Sequence, residues 1–398
     1  MNSRHRILAA LAAVVFTLTV DSQAAPPRKQ RAPADGYANR ADVREFIDDL
    51  AHEHGFSRKT LARWFADARH QPKIVAAMQR PFVEPPKWYE YAPQFLTPQR
   101  IAEGVAFFRA HETALARAEE QYGVPAEIIV AILGVETFYG RNTGSYRAID
   151  ALSTLAFDYP RRADYFRGQL VEFLLLARSE GFSPLVPKGS FAGALGVPQF
   201  MPGSIRRYAV DFDADGHIDL WRSDDDVIGS VANYLARHDW LRGQPVWTRA
   251  SVAPSQREAT MARLDGGISE RRPLAAWNAD GVAASLLPDP LSPEPVGVLA
   301  LEEAAADGNG STSLWIAFPN FYVITRYNKS RLYAAAVTSL AEAIRAEHAC
   351  VASASADDAV RNRTSQPAVA QAAACQPAGS LPAMLTQPLR QPGARNSR

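Results

Sequence analysis

A carboxylate at the end of an apolar segment is the residue of this 398-residue chain whose type and position most clearly indicate chemistry. Glu136 follows Ile132-Leu-Gly-Val135 and ends a stretch, starting at Val124, with apolar side chains on nearly every helical face. In a helix this carboxylate loses water and meets the negative end of the helix dipole, and both effects raise its pKa. A carboxyl group that stays protonated near neutral pH can act as a general acid. Burial alone fits equally well a structural glutamate paired with a cation such as Arg141.

A segment rich in small residues, 189–202, is the second feature that could meet a ligand. It reads Gly-Ser-Phe-Ala-Gly-Ala-Leu-Gly-Val-Pro-Gln-Phe-Met-Pro, and its glycines let the backbone approach a ligand closely. Gln199 offers both a hydrogen-bond donor and an acceptor to a sugar hydroxyl or amide. The alternative is a mobile glycine-rich loop. Several tyrosines could stack on sugar faces, although any one of them is more often a core residue: Tyr91, Tyr139, Tyr234, Tyr327 and Tyr333.

An aspartate-rich segment predicts a metal site. Asp211, Asp213 and Asp215 stand at the first, third and fifth positions of an EF-hand-like loop, and His217 offers its backbone carbonyl at the seventh. Arg222 occupies position twelve, where an ordinary EF-hand has a bidentate glutamate, so this is not an ordinary EF-hand. Because clustered carboxylates repel one another without a cation, we expect a structural ion. A solvated Asp-Gly turn is the alternative.

Amphipathic patterns predict that helices position most of these residues. Val43, Phe46, Ile47 and Leu50 form one apolar stripe, and Gly55 ends that helix. Further helices are predicted at 98–122, 124–138, 164–177, 227–237 and 330–346.

From residue 243 the pattern changes to short β-rich runs, Val296–Leu301 and Leu314–Thr325, separated by turn residues. Beyond Ala352 the chain has no apolar stripe, which predicts disorder. We therefore expect a mainly α (α+β) fold with an antiparallel β domain inserted before the last helix. The predicted organisation is a signal peptide (1–25), a flexible lead-in (26–40), a helical domain (41–120), a core with the metal loop (121–242), a small β-rich domain (243–322), a return to the core (323–350) and a disordered tail (351–398).

Composition and charge argue against several classes of protein. Apolar residues make up 47% and charged residues 21%, as in ordinary soluble proteins. The formal net charge of +1 gives no general attraction to nucleic acid or acidic membranes, and no basic segment is interleaved with aromatic residues.

The first residues predict export. A basic start is followed by an apolar stretch from Ile7 to Val20, and Ser22-Gln23-Ala24 suits a signal peptidase. A short anchor or a disordered leader is the alternative. No cysteine lies near the cleavage region to accept a lipid, and no later segment could span a membrane, so we expect a soluble periplasmic protein if the host is Gram-negative. Cys350 and Cys375 could then form a disulfide, or stay as idle thiols.

Four motifs in order make the sequence resemble the lytic murein transglycosylase B family. They are Gly-Val-Glu136-Thr with Tyr-Gly, Tyr159-Pro-Arg-Arg162, the segment 189–202, and Tyr322-Val-Ile-Thr-Arg-Tyr-Asn328. The resemblance spans roughly residues 40 to 346. It implies a lysozyme-like helical core that holds the active cleft, with a flanking helical domain and a small β domain.

The resemblance also implies roles for individual residues. Glu136 matches the family's catalytic acid, and Arg161 and Arg162 match an arginine pair that could meet lactyl or peptide carboxylates. Asp226 takes the place of the acidic residue that closes a longer calcium loop in the family, with Asp225 as the alternative. Val197-Pro198 departs from the pair expected before Gln199 and leaves the orientation of that side chain open. The positions predicted to contact sugar are Tyr91, Ser190, Gln199, Tyr234, Tyr327, Asn328 and Tyr333.

The implied reaction needs neither water nor a second carboxylate. Glu136 would protonate the oxygen between N-acetylmuramic acid and N-acetylglucosamine, and would then take a proton from the muramyl C6 hydroxyl to close a 1,6-anhydro ring. The expected partner is the glycan strand of peptidoglycan, with no catalytic cofactor and a structural Ca²⁺. A hydrolytic muramidase and a non-catalytic wall-binding protein are the alternatives.

Overall fold

The computed structural model describes residues 36–80, 84–287, 290–304 and 310–363, with the backbone alone for 354–363. The predicted signal peptide, most of the predicted lead-in and Cys375 lie outside these residues. The helices of the described residues are α1 (Ala41–His54), α2 (Arg58–Asp67), α3 (Pro72–Met78), α4 (Trp88–Tyr91), α5 (Pro98–Ala110), α6 (Glu112–Tyr122), α7 (Ala126–Thr137), α8 (Ala148–Asp158), α9 (Ala163–Ser179), α10 (Pro202–Tyr208), α11 (Asp224–Ala236), α12 (Arg257–Met261), α13 (Leu274–Ala279), α14 (Pro319–Tyr327) and α15 (Arg331–Arg363). The strands are β1 (Tyr146–Arg147), β2 (Lys188–Gly189), β3 (Trp247–Val252), β4 (Leu264–Asp265), β5 (Ile268–Ser269), β6 (Val282–Ala284), β7 (Gly297–Glu303) and β8 (Ser311–Ala317).

The first helix forms as its sequence pattern predicts, and a second helix follows it. The four apolar residues of the α1 stripe are its buried residues, and Gly55 caps the helix in the left-handed conformation, with φ at 67°. The Ser57 hydroxyl accepts a hydrogen bond from the Thr60 amide and so caps α2.

The predicted flexible lead-in ends earlier than residue 40. Tyr37 is fully buried, and its hydroxyl donates to the Asp158 carboxylate at 2.6 Å. Its amide donates to the Phe65 carbonyl, and Arg40 forms an ion pair with Asp158. The expectation of a flexible segment up to residue 40 is therefore wrong for these residues, because a buried aromatic ring and an ion pair anchor them to α8.

The core is built around α7, which packs against α5, α6, α11 and α15. Its side chains from Ile128 to Leu133 are almost completely buried, which confirms the prediction of a helix buried on all faces. α15, which packs against it, carries Ala334, Ala335 and Ala336, all fully buried. Such small side chains let two helix backbones approach closely, and the core helices hold the end of α7 on several sides.

A six-stranded antiparallel sheet with the order β4-β5-β7-β8-β3-β6 forms the β-rich part. It has its own small core, in which Trp277 and Ile316 are fully buried. A second pair of strands, β1 and β2, joins Tyr146 to Gly189. The small antiparallel sheets expected from the turn-rich sequence are present.

Two predicted element ends are wrong. The prediction of a β-rich run over Leu314–Thr325 is wrong beyond β8, which ends at Ala317, because residues from Pro319 form α14. Proline suits the first turn of a helix, and Phe321 and Ile324 lie on one buried helical face. The disorder expected from residue 351 is wrong for residues 351–363, since α15 continues to Arg363 in an alanine-rich stretch that favours helix without an apolar stripe.

None of the helices in the described residues is both long and apolar enough to cross a membrane.

Candidate active site

Glu136 lies in the last turn of α7, partly buried. Desolvation raises the pKa of its carboxyl group to about 7. The Tyr333 hydroxyl donates to Glu136 Oε1 at 2.6 Å, and this hydrogen bond lowers the pKa by a smaller amount. The side chain can therefore hold or release a proton near neutral pH.

The alternative of a structural pair between Glu136 and Arg141 is wrong. Arg141 turns away and forms an ion pair with Glu103, with 2.9 Å between Nη1 and Oε1. The guanidinium also lies 5.2 Å from the centroid of the Phe138 ring. Since no cation contributes to the pKa of Glu136, its proton is held by the lack of water.

The backbone turns sharply directly after Glu136. Phe138 and Tyr139 both adopt the left-handed conformation, with φ at 54° and 56°. Such conformations cost energy in residues with a side chain and cluster at functional sites. Thr137 stabilises the turn, because its hydroxyl donates to the Val197 carbonyl at 2.9 Å and accepts from the Gly140 amide. Thr137 thus connects the end of α7 to the segment 189–202.

Four predicted sugar-contacting tyrosines surround Glu136. The Tyr327 ring stacks on the Tyr333 ring with centroids 6.4 Å apart, and the Tyr234 and Tyr327 centroids are 5.0 Å apart. Burial and, by a smaller amount, the negative charge of Glu136 raise the pKa of Tyr91 to about 12. The same two causes, in the same order of size, raise the pKa of Tyr327 and Tyr333. We call these four residues, Tyr91, Tyr234, Tyr327 and Tyr333, the tyrosine wall.

Hydrogen bonds to main-chain carbonyls hold two of these tyrosines in place. The Tyr327 hydroxyl donates to the Pro198 carbonyl at 2.6 Å, and the Tyr234 hydroxyl donates to the Arg326 carbonyl at 2.7 Å. Tyr234 is only 8% exposed. Tyr91 and Tyr333 are also buried, so the tyrosine wall offers little open ring face for stacking.

Tyr139, the fifth tyrosine considered for sugar stacking, is instead a core residue. Its hydroxyl donates to the Arg100 carbonyl at 2.8 Å, between α5 and α7. A side chain at Gly104 or Gly134 would collide with it, since an added Cβ would lie 2.5 Å and 2.6 Å from its hydroxyl oxygen. Those two glycines make the space for Tyr139.

Hydrogen bonds hold the segment 189–202 in a defined conformation, which argues against the alternative of a mobile loop. Leu195 forms antiparallel bridges to both Gly189 and Phe200. The Ser190 hydroxyl accepts from the Ala194 amide at 3.0 Å. Gln199 has φ at 51°, and its amide nitrogen donates to the carbonyls of Gly196 at 2.8 Å and Thr143 at 3.1 Å. These bonds orient the side-chain amide of Gln199.

The other predicted contact residues lie at the ends of helices. Asn328 lies in the turn between α14 and α15, where its Oδ1 accepts from the Ser330 amide at 3.3 Å. Arg162 lies 4.2 Å from the ring centroid of Tyr165, and Tyr165 is close enough to influence the pKa of Tyr234. Arg161 is exposed in the short 3₁₀ turn Pro160–Arg162 and makes no hydrogen bond or ion pair with the described residues. The structure thus links Arg162, but not Arg161, to the tyrosine wall.

The aspartate-rich segment folds around a buried carboxylate. Oxygen atoms of Asp211, Asp213 and Asp226 all lie within 4.8 Å of one another. Asp226 is 1% exposed and accepts from the amides of Phe212 at 2.7 Å and Asp219 at 2.8 Å. Asp225 instead forms an ion pair with Arg117 at 3.1 Å, directed away from this cluster. Of the two candidates that could close the loop, Asp226 is the one that faces it.

Asp215 and His217 contribute to the turn of this loop. Asp215 Oδ1 accepts from the His217 amide at 2.8 Å, and the Asp211 carboxylate accepts from the amide of Asp215 at 3.1 Å. Two oxygen ligands on opposite sides of one Ca²⁺ are about 5 Å apart, so three carboxylates at the observed spacing fit a calcium ion.

A family comparison decides the class of protein that carries this site. Residues 38–342 match the family described as the Transglycosylase SLT domain. The chain belongs to the SLT transglycosylase family. The enzyme is thus a lytic transglycosylase, and the family predicted from the four motifs is confirmed.

Relatives of this transglycosylase match most of its length. The chain is 43% identical over 319 residues to the membrane-bound lytic murein transglycosylase B of Escherichia coli, which covers 77% of this chain and 84% of the relative. The crystal structure of the soluble lytic transglycosylase SltB1 from Pseudomonas aeruginosa is 46% identical, with a TM-score of 0.69, and covers 76% of this chain and 98% of that one. The Escherichia coli lytic transglycosylase Slt35, in a structure in complex with calcium, is 41% identical, with a TM-score of 0.69, and covers 79% of this chain and 95% of that one. These similarities confirm the mainly helical, lysozyme-like fold.

Sequence reasoning missed one positioning residue, Thr137. Its hydroxyl fixes the turn after the proposed acid, yet a threonine beside a glutamate has no distinctive pattern. The usable signal was the two bulky residues Phe138 and Tyr139 before Gly140, which indicate a forced turn at the end of an apolar helix.

Proposed function

We propose that this transglycosylase cleaves the bond between N-acetylmuramic acid and N-acetylglucosamine in peptidoglycan without water, with Glu136 as general acid and then as general base. The observation that carries the proposal is a single carboxyl group with a pKa of about 7 beside the tyrosine wall. Ordinary glycosidases use two carboxyl groups that are roughly 5 to 9.5 Å apart. Among the described residues no second carboxylate contributes to the pKa of Glu136. Chemistry that uses one carboxyl group twice fits this site better than hydrolysis.

Two proton transfers at one carboxyl group complete the reaction. Protonated Glu136 donates to the bridging oxygen, the bond from C1 to that oxygen breaks, and the substrate's own N-acetyl group stabilises the positive centre. The carboxylate then takes the proton of the C6 hydroxyl, whose oxygen bonds to C1 and closes the 1,6-anhydro ring. The Tyr333 hydroxyl stabilises the ionised carboxylate between the two transfers, since it donates to Oε1. The C6 hydroxyl competes well with water because it is held close to C1.

The mass of the products tests this reaction. Digestion of purified peptidoglycan should release muropeptides with anhydro ends, each lighter by one water molecule than a reducing end. Hydrated reducing ends would instead support the muramidase alternative.

The remaining site residues are proposed to hold the glycan. Tyr91, Tyr234, Tyr327 and Tyr333 would line the cleft at Glu136, and Gln199 would offer its oriented amide to sugar substituents. Ser190 and Asn328 would contribute polar contacts at helix and loop ends. Arg161 and Arg162 would meet carboxylates of the substrate, in keeping with the exposure of Arg161.

The pH dependence of cleavage should follow the pKa of Glu136. Because the acid must be protonated in the free enzyme, kcat/KM should fall as the pH rises through about 7. Tyr333→Phe removes the hydrogen bond that lowers this pKa, so the falling limb should move to higher pH. Initial rates of turbidity loss measured across pH would show the shift.

Tyr327→Phe is the matched control for this experiment. Its hydroxyl bonds to the Pro198 carbonyl and not to Glu136, so the falling limb should stay where it is in the wild type. An unchanged limb in Tyr333→Phe would refute the assignment of the limb to Glu136.

We also propose a structural Ca²⁺ held by Asp211, Asp213, Asp215, the His217 carbonyl and Asp226. The spacing of Asp211, Asp213 and Asp226 supports it, as does the calcium in the structure of the relative Slt35. The ion would neutralise carboxylates that otherwise repel one another at the amino-terminal end of α11.

Added calcium should therefore raise the melting temperature, and a chelator should lower it. Calcium at about 100 times its dissociation constant stabilises the folded state by about 2.7 kcal/mol. Differential scanning calorimetry in calcium and in excess chelator would measure the shift, with magnesium as the control ion. Identical melting temperatures in calcium and chelator would refute the site.

The cellular setting is proposed from the sequence. The predicted signal peptide at 1–25 and the wall substrate favour export to a periplasm. We retain the division into a helical domain (41–120), a core (121–242 and 323–350) and a β-rich domain (243–322) as a proposal.

A further inference from the structure

One carboxylate of the six-stranded sheet, Glu302 near the end of β7, bonds to two helices of the core. Its Oε2 accepts from the Trp88 amide at 3.2 Å, at the start of α4. Its Oε1 accepts from Arg331 Nη2 at 3.1 Å, at the start of α15. Each oxygen of the carboxylate thus holds a different helix, and Glu302 joins α4 to α15.

Both helices carry a residue of the tyrosine wall close to this contact. Tyr91 is the last residue of α4, three positions after Trp88, and it is buried. Tyr333 comes two positions after Arg331, is buried as well, and donates to Glu136 Oε1. Because packed interiors transmit displacements, a shift of either helix start would move a tyrosine beside Glu136.

The sheet also fixes the other end of the ion pair. Arg331 Nη1 donates to the Ala300 carbonyl of β7 at 2.8 Å, and Nε donates to the Gly266 carbonyl in the turn between β4 and β5. Gly267, in the same turn, has φ at 85°, and an added Cβ there would lie 2.4 Å from the guanidinium carbon of Arg331. The Arg331 side chain is 15% exposed, so water and salt screen its pair with Glu302 less than they screen a surface pair.

We propose that Glu302 is a positioning residue that holds Tyr91 and Tyr333 beside Glu136 by fixing the starts of α4 and α15. This rests on the proposed function, in which Glu136 is the acid and then the base. A helix of one turn such as α4 has little stability of its own, so it depends on contacts from outside. The six-stranded sheet would thus support the reaction through a side chain that touches no substrate.

Glu302→Ala removes both contacts and should lower kcat/KM about ten-fold, since a displacement of ~1 Å in an active site can cost up to about 10²-fold. The falling limb of kcat/KM should also move to higher pH, because the hydrogen bond from Tyr333 lowers the pKa of Glu136 and would be loosened. Loss of one negative charge acting alone would favour ionised Glu136 and move the limb to lower pH. The direction of the shift, measured from initial rates of turbidity loss, therefore identifies its cause.

Two further variants test whether Glu302 acts through these contacts. Glu302→Gln keeps the size of the side chain and can still accept from the Trp88 amide, but it has no charge to pair with Arg331. Its kcat/KM should lie between those of Glu302→Ala and the wild type, and its limb should move in the same direction even if Glu302→Ala does not fold. In a Tyr333→Phe background, Glu302→Ala should not move the limb further, because the hydroxyl through which it acts is gone.

Glu303→Ala is the matched control, because it removes the same side chain and charge from the next residue of β7. Glu303 is partly buried like Glu302 and pairs with Arg249 of β3 at 3.8 Å instead of with α4 or α15. This variant should keep the limb and the rate of the wild type. An equal limb shift in Glu303→Ala, a further shift in the Tyr333→Phe background, or an unmoved limb in both Glu302 variants would overturn the proposal. Failure of the proposed function would appear separately, as hydrated ends in a wild-type digest or an unmoved limb in Tyr333→Phe alone.

Discussion

Glu136→Gln is expected to lower the rate of release of anhydro-muropeptides by roughly 10³-fold, since positioned acid–base catalysis typically contributes 10²- to 10⁴-fold. Glutamine keeps the size of the side chain and can still accept from the Tyr333 hydroxyl, but it cannot donate a proton to the bridging oxygen. Mass spectrometry of the fragments released over time would measure the loss.

Glu127→Gln is the matched control for this loss. Glu127 lies at the opposite end of α7, is partly buried, and has a pKa that burial also raises. Its nearest cation is Arg345, at 3.6 Å. The control variant should retain activity close to that of the wild type. Equal activity of Glu136→Gln and the wild type would instead remove Glu136 from the mechanism.

Glu136→Gln should also stabilise the folded protein above neutral pH. The pKa of Glu136 is about 7 in the folded state, against an ordinary value of 4.5. Because the folded state holds this proton more tightly than the unfolded chain does, the free energy of unfolding falls as the pH rises, and the loss is complete once the pH has passed 7. Each unit corresponds to 1.36 kcal/mol, so ionisation costs about 3 kcal/mol of folding free energy well above that pH. Denaturant unfolding should show Glu136→Gln to be more stable than the wild type at alkaline pH and similar to it at acid pH. This comparison separates lost chemistry from lost structure.

The helix that carries Glu136 could be predicted because its apolar residues cover every face. Few structures other than a buried helix accommodate Val124–Val135, and a carboxylate at its end must then lose water. The direction of the pKa shift could be predicted from that local pattern, because burial is its largest cause. The clustering of Asp211 and Asp213 could also be predicted, because the two residues are close together in the chain, and their carboxylates do lie together.

The partners of Glu136 could not be derived from local patterns. Tyr333 is 197 residues away in the chain and reaches the carboxylate only because α15 packs against α7. The turn at Phe138 and Tyr139 depends on Thr137, and Tyr139 fits only because Gly104, 35 residues earlier in the chain, leaves space for its hydroxyl. Local composition also misjudged Tyr37, which is fully buried and donates to Asp158, 121 residues away in the chain. The resemblance to a family predicted Tyr333 as a site residue. Its hydrogen bond to Glu136 became visible only in the packing of the helices.

Asp226→Ala is expected to lower the free energy of unfolding by roughly 3 kcal/mol even in the presence of a chelator. The carboxylate accepts from the amides of Phe212 and Asp219 in a nearly inaccessible position. Removing it leaves those amides without a partner, and each buried unsatisfied group costs about 1 to 3 kcal/mol. Denaturant unfolding in chelator would measure the loss.

Asp225→Ala separates the buried carboxylate from its exposed neighbour. Asp225 forms a solvent-exposed pair with Arg117, so its removal should cost less than about 1 kcal/mol and preserve the response to calcium. Asp226→Ala should lose that response as well, so the gap between the two variants should widen when calcium is added. If Asp225→Ala abolished the calcium response while Asp226→Ala retained it, the loop would close on the other aspartate. Burial therefore distinguishes Asp226 from Asp225 as the residue that closes the metal loop. The Asp226 carboxylate already accepts hydrogen bonds from amides of the loop, so it is the one placed to hold the ion.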